Sequence, residues 1–222
     1  MTSVPHDSAM NIDGDIYRLA PAMFVTPEAL RGHHIELKAQ TEPDLQAETD
    51  SDRVVHLSVQ YPIAPPSGLV FVAGAVVEFV PVSSPSYECL PWHCSRNDQD
   101  SALCLGLPTS ILQPLLDCTR NGVEAQNATL DLTNASVQQA DHSWLVAGTW
   151  HNPGFTINTD NGRSVVVPDL ERFLHQLGGP GMCEVCLSIC APIDGRGVAS
   201  LAVDVVGVHM RGISFQSAPR TV

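Results

Sequence analysis

The sequence predicts an all-β fold, an eight-stranded antiparallel sandwich with two short helices. Three observations carry this expectation. First, Cys183 to Met210 reads as two strands joined by a loop. In its first half Val185, Leu187 and Ile189 alternate with Glu184, Cys186, Ser188 and Cys190, the period of two of a half-buried strand. Pro192, Asp194, Gly195 and Gly197 then interrupt the run with turn residues. Second, Leu69–Val80 and Ala199–Val208 are apolar at odd and even positions alike, as expected of strands covered on both faces. Third, 16 glycines and 17 prolines are spread evenly along the chain, a spacing that suits many short strands and turns.

Taken in order, residues 1–30 read as an N-terminal arm that packs on something, interrupted by Pro5, Pro21 and Pro27. Residues 31–222 read as one domain. His34–Gln40 alternates as a strand, and Thr41–Asp52 is acidic and exposed. Arg53–Tyr61 is a strand with Val55, Leu57, Val59 and Tyr61 on one face; the segment YPIAPPSG stops it, because proline has no N–H for a ladder. Leu69–Val80 follows. The two segments VVHLSVQYPIAPPSGLVFVAGAVVEF and EVCLSICAPIDGRGVASLAVDVVGV echo each other, which suggests two equivalent hairpins. Tyr87–Asp100 reads as a loop. Thr109–Cys118 is the best helix, with Thr109 or Ser110 as N-cap and Ile111, Leu112, Leu115 and Leu116 as its apolar stripe. Ser143–Trp150, Phe155–Thr159 and Arg163–Val167 are further strands, the latter two joined by the tight-turn pair Asn161-Gly162. Asp169–Leu177 is the second helix, ended by Gly178-Gly179-Pro180.

Charge narrows the function classes. With 24 acidic and 11 basic residues the formal net charge is −13, and Lys38 is the only lysine. Residues 1–60 hold four basic groups against ten acidic ones. Capture of a phosphate backbone needs clustered Lys and Arg, so sequence-independent nucleic-acid binding through a basic arm is disfavoured. Nine histidines could offset part of the charge near pH 6 and below. The N-terminal residues show neither the basic nor the apolar part of a signal peptide, and no apolar run is long enough to span a membrane as a helix.

Each candidate for chemistry has a plainer explanation. Cys183, Cys186 and Cys190 have C-x-x-C spacing, but on a strand Cys183 faces away from the other two, and no second ligand pair follows; we expect no metal and a nearly silent Cys186→Ser exchange. His93-Cys94 are adjacent in sequence, which rarely lets the side chains meet. Asp13 and Asp15 resemble the start of a calcium loop, yet Phe24 stands where its glutamate would be. Trp144 and Trp150 share a strand face with Val146 and read as core. No nucleotide-binding or nucleophile-elbow motif occurs. The expectation is therefore a non-enzyme with no catalytic residues, cofactor or metal.

In order and spacing the chain resembles the jelly-roll coat proteins of small icosahedral plus-strand RNA viruses, the tymovirus-like ones most closely. The resemblance lies in RVVHLSVQYPI, in GLVFVAGAVVEFVPVSSP with the helix Thr109–Cys118 after it, and in SWLVAGTW, RSVVVPDL, CEVCLSICAP and SLAVDVVGVHMRGISF. These look like strands D and E, F and G, then H and I of a jelly roll. The resemblance implies a structural capsid protein that self-assembles into an icosahedral shell around an RNA genome. Its partners would be itself and other coat subunits, with viral RNA held by weak or polyamine-mediated contact and no membrane. It would reside in the virion after synthesis in the host cytoplasm, and His6, His33 and His34 would face the genome. The segment 87–142 is longer than such coats carry.

A rival reading takes Ser143–Trp150, Phe155–Thr159, Arg163–Val167, the helix Asp169–Leu177, Val185–Cys190 and Ala199–Val208 in β-β-β-α-β-β order. That order is an OB-fold barrel within residues 143–210, which would bind single-stranded nucleic acid on Trp150 and Phe155 or serve as a protein-interaction subunit of a larger complex.

Overall fold

The computed structural model describes residues 8–12, 15–32, 34–43, 53–61, 67–81, 101–132, 137–139, 142–146, 149–150, 155–158, 164–167, 172–173 and 181–210. These residues are mostly β, with sandwich-like sheets. The strands are β1 (Ser8–Ile12), β2 (Asp15–Leu19), β3 (Phe24–Val25), β4 (Glu36–Pro43), β5 (Arg53–Gln60), β6 (Leu69–Pro81), β7 (Ser101–Pro108), β8 (Thr129–Asp131), β9 (Val137–Gln139), β10 (His142–Val146), β11 (Thr149–Trp150), β12 (Phe155–Asn158), β13 (Ser164–Val167), β14 (Gly181–Ile193), β15 (Val198–Ser200) and β16 (Ala202–Met210). The helices are α1 (Pro27–Arg31) and α2 (Thr109–Glu124). Sixteen strands among the described residues replace the eight expected. The extra ones are mostly pieces of two to five residues, too short to show a period of two in sequence, and they form by pairing with longer neighbours.

β14 is the strand around which the rest is arranged. At about 3.3 Å per residue its thirteen residues span roughly 43 Å, enough to serve two strands end to end. Its N-terminal part pairs with β6, from Gly181↔Val77 to Ser188↔Leu69, and its C-terminal part pairs with β5, from Cys190↔His56 to Ile193↔Arg53. Its other edge pairs with β16, from Glu184↔His209 to Cys190↔Ala202. One continuous path therefore runs β13-β12-β16-β14-β6-β7-β10-β9, with β4 and β5 branching from the far end of β14. The two echoing segments are not equivalent hairpins. β14 and β16 pair directly, whereas Val59 of β5 bridges Ser67, just before β6, and β5 and β6 lie one after the other along β14.

Bulges on both neighbours bend this sheet. The register between β14 and β6 skips Gly74, whose φ of 75° is open to glycine at no steric cost. Between β14 and β16 it skips Val206. The bulged residues lie on β6 and β16, so β14 keeps a regular alternation and presents odd and even residues to opposite faces.

α2 covers the odd face. Gly122 of the helix packs against Ala39 and Val55, and Val55 stands opposite Ala191. Ile111, Leu112, Leu115 and Leu116 enter the main core with Val185, Leu187 and Ile189. The helix runs six residues past the expected end at Cys118, and its N-cap is Pro108 with no side-chain cap bond, where Thr109 or Ser110 was expected. Pro114 falls inside the helix. A second, smaller cluster of Val55, Val123, Ala128, Leu130, Ala191 and Ala199 sits under the end of α2.

On the even face the N-terminal segment folds back onto the sheet. β1 and β2 form an antiparallel hairpin, from Ser8↔Leu19 to Ile12↔Asp15, with Met10 and Ile12 in the main core. A Cβ placed on Gly207 would lie 2.9 Å from Asn11 O and from Met10, so glycine there lets β1 cross β16 at backbone distance. β3 adds to the outer edge of β6, where Phe24 meets Phe71 edge-on with ring centroids 6.4 Å apart. α1 begins with Thr26 Oγ1 accepting the Ala29 N–H at 3.1 Å and has Pro27 as its first residue.

The OB reading does not survive these pairings. Among the described residues, segment 143–210 does not close on itself: β14 pairs with β6 and β10 pairs with β7, both contributed by earlier chain. The strand expected over Ser143–Trp150 is two strands, β10 beside β7 and β11 beside β16. Of the helix expected over Asp169–Leu177, Arg172 and Phe173 are described and helical, with Phe173 buried; the remainder lies outside the described residues.

A buried polar row as the candidate functional site

Three polar residues stand side by side across three adjacent strands. Glu184 on β14 is opposite His209 on β16, and His209 is opposite Thr156 on β12. Residues in register across a sheet project to the same face, with Cβ atoms about 4.5–5.5 Å apart in direct antiparallel pairs. All three are buried, His209 and Thr156 completely. The β1 strand seals them: the Asn11 N–H donates to Thr156 Oγ1 at 2.9 Å, a buried bond spanning 145 residues of sequence. A buried polar group is costly unless it has partners, so such a row dictates which segment may lie over it. Its chemistry is that of a latch. Imidazole, carboxylate, hydroxyl and the Asn11 side chain form a buried polar strip against which β1 packs.

Beyond the hairpin the same even face is half-open and polar. His56 on β5 stands opposite Cys190 on β14, with Gln40 of β4 on the far side of His56. One rung along, Ser188 stands opposite Asp204. Cys190 is only partly buried. Cys183 is on the opposite face of β14, sealed in the core, where burial pushes its thiol well above the usual range; Cys186 is sealed as well. None of the five described cysteines, Cys104, Cys118, Cys183, Cys186 and Cys190, is in a disulfide. Among the described residues no three of His, Cys, Asp and Glu converge as metal ligands.

Of the residues expected to face a genome, His34 alone is among the described residues. His34 is exposed just beyond α1, its N–H donating to Ala29 O at 3.0 Å. His6 and His33 lie outside the described residues, as do His93 and Cys94. Around His34, Arg31 is paired with Glu28 at 2.9 Å and Lys38 with Glu36 at 3.2 Å. These surface pairs add little stability, but each places an acid beside the base a phosphate would need. Trp144 stands opposite Gly106 on β7, and Trp150 is beside Val205 on β16, on separate strands.

Sequence reasoning missed the row and the His56–Cys190 pair for one reason. Alternation places Glu184 and His56 on the polar face of their own strands, but only strand order and register reveal what stands opposite. No family model, curated protein or solved structure matches the chain.

Proposed function

We propose that this chain is a self-assembling structural protein, the coat subunit of an icosahedral shell around an RNA genome. The observation that carries the reading is the distribution of exposed apolar surface. Ile16 and Tyr17 on β2 and Val165 and Val166 on β13 are 51, 46, 44 and 41 % exposed, and Met182 on β14 and Val198 on β15 are 72 and 37 % exposed; β13 pairs with β12, and β1, the partner of β2, packs against β12. A chain of net charge −13 repels its own copies except where charge is missing, and the exposed apolar side chains on β2, β13, β14 and β15 offer uncharged places for association.

The folded-back hairpin supports the same reading. Its described residues 8–12 and 15–19 contain Arg18 as their only Lys or Arg, so this part of the N-terminal segment is not a basic arm for RNA. Shell formation would rest on protein–protein contacts, with RNA accommodated through polyamines or protonated histidines. For the finer architecture we propose a modified jelly roll. The pairing of β14 with β6 is the neighbour relation that strands H and E hold in that fold, while the direct pairing of β14 with β16 departs from it.

Sizing chromatography of the full chain combined with negative-stain microscopy tests the proposal. Closed shells of uniform diameter support it. A monomer that binds labelled oligonucleotide, or one that neither assembles nor binds, refutes it.

A further inference from the structure

We infer that two copies of this chain join through their β13 edges, strand against identical strand and antiparallel, about a two-fold axis that runs midway between the two copies of Val165 or of Val166. The inference rests on the self-assembly reading and specifies one of its contacts.

β13 ends the strand path, paired on one side to β12 from Phe155↔Val167 to Asn158↔Ser164; among the described residues no strand pairs with its other side. An edge with exposed apolar side chains is a template for another strand. Its side chains point both ways. Val166 is opposite Thr156 and so continues the row Glu184–His209–Thr156 on the hairpin-covered face, while Val165, opposite Ile157, lies on the other face. Val167 packs against the main core and fixes the strand in place.

The occupant is argued from charge and symmetry. Ser164-Val165-Val166-Val167 carries no charge in a chain with 24 acidic residues, so this edge lets two like-charged copies approach. An antiparallel pair of identical strands is self-complementary, closes after two copies and leaves no growing end. The far end of the path, β9, is Val137-Gln138-Gln139, and a head-to-tail pairing of β13 with β9 would instead give a ring or an open filament.

The hydrogen-bond pattern restricts the register. In an antiparallel ladder, two opposed residues either both direct their N–H and C=O at each other or both direct them away. Along β13 these directions alternate between β12 and the open edge. A register with Val165 opposite Val166 would set an outward-directed residue against an inward-directed one, so the ladder would fail. The two-fold must therefore run midway between a residue and its own copy, and the two central candidates are Val165 and Val166.

This gives a paired test. A residue next to the two-fold faces its own copy with a Cα separation of about 4.5–5.5 Å, inside the roughly 4.4–6.8 Å a disulfide spans. The full chain carrying Val165→Cys, and separately Val166→Cys, is assembled and mildly oxidised, and covalent dimer above the wild-type background is read on a non-reducing gel. We expect one variant to cross-link and the other not. A charge on the same edge, Val166→Lys, should weaken association by more than about tenfold, because like charges set opposite each other across an interface repel, and should leave the unfolding midpoint unchanged at this exposed position. If both cysteine variants cross-link equally, or neither does, while the wild type still assembles, edge pairing is wrong and the shell reading stands. If the wild type stays monomeric, both fall.

Discussion

Replacing Gly122 by alanine sets helix propensity against packing. In the interior of a helix alanine is favoured over glycine by about 1 kcal/mol, so by that rule Gly122→Ala would stabilise α2. The contacts oppose it. A Cβ at position 122 lies 2.9 Å from Val55 Cγ1 and closer still to Ala39 Cβ, against an optimum of about 3.5–4.0 Å between carbons. Val55 is fully buried in the smaller cluster, and Ala39, whose side chain is a single methyl group, has no rotamer to change; its Cα lies 3.8 Å from the same point. Relief therefore requires α2 to move away from β4 and β5. Overpacking of this kind costs about 1–3 kcal/mol, and after the propensity gain of about 1 kcal/mol we expect a net loss of up to about 2 kcal/mol. Urea denaturation of wild type, Gly122→Ala, Ala39→Gly and the double variant measures it. The midpoint should fall for Gly122→Ala and recover in part in the double variant, with a coupling of about 1 kcal/mol. A higher midpoint for Gly122→Ala, or strict additivity in the cycle, would show that the helix does not sit on β4 and β5 as described.

Val203→Asp places a carboxylate at a position 3 % exposed in the core side of β16; the chain should fail to fold, seen as loss of cooperative unfolding in circular dichroism, and a folded variant would contradict the placement of β16. Cys186→Ser, silent by the sequence reading, should instead lower stability by about 1–3 kcal/mol, because complete burial puts a hydroxyl where water cannot reach; an unchanged urea midpoint would restore the earlier reading. Among the described cysteines, the partly buried Cys190 should be alkylated by iodoacetamide ahead of the buried Cys104, Cys183 and Cys186 in the native state, as read by peptide mass spectrometry. Equal labelling of all four would rule out the sealed face. Asp194 accepts the N–H groups of Val198 and Arg196, each at 2.9 Å, and these bonds hold its carboxyl below the usual carboxylate range. Its contribution to the β14–β15 turn is thus present above the unfolded carboxyl pKa of about 3.9 and disappears as pH falls through the lower folded value. Asp194→Asn should flatten the acid limb of the stability curve, and an unaltered limb would mean these bonds do not favour the charged form.

How much of this was legible depended on strand length. β5, β6 and β14 are long enough for alternation or two-faced apolarity to show, and the expected ranges overlap the observed ones closely. β7 was passed over, although Leu103, Leu105 and Leu107 alternate in SALCLGLP; the Cys, Gly and Pro between them hid the period. The N-terminal hairpin was also missed. Met10 and Ile12 are two apolar positions without a longer pattern, and what makes them a strand is Gly207 about 200 residues away. α1 had a readable signal in Thr26-Pro27-Glu28, a cap followed by proline at the first helical position, but five residues are too few for an apolar stripe. The candidate site was not legible at all. Glu184, His209 and Thr156 come together through a parallel pairing of β12 with β16 and an antiparallel one of β16 with β14, neither of which local sequence encodes.

The mass of the purified chain in solution is the most direct check on the central claim that this protein builds a shell from copies of itself. Sedimentation velocity at rising concentration should show material far heavier than the 23.8 kDa chain, with a discrete largest species. A single boundary at the monomer mass across the whole range would contradict it.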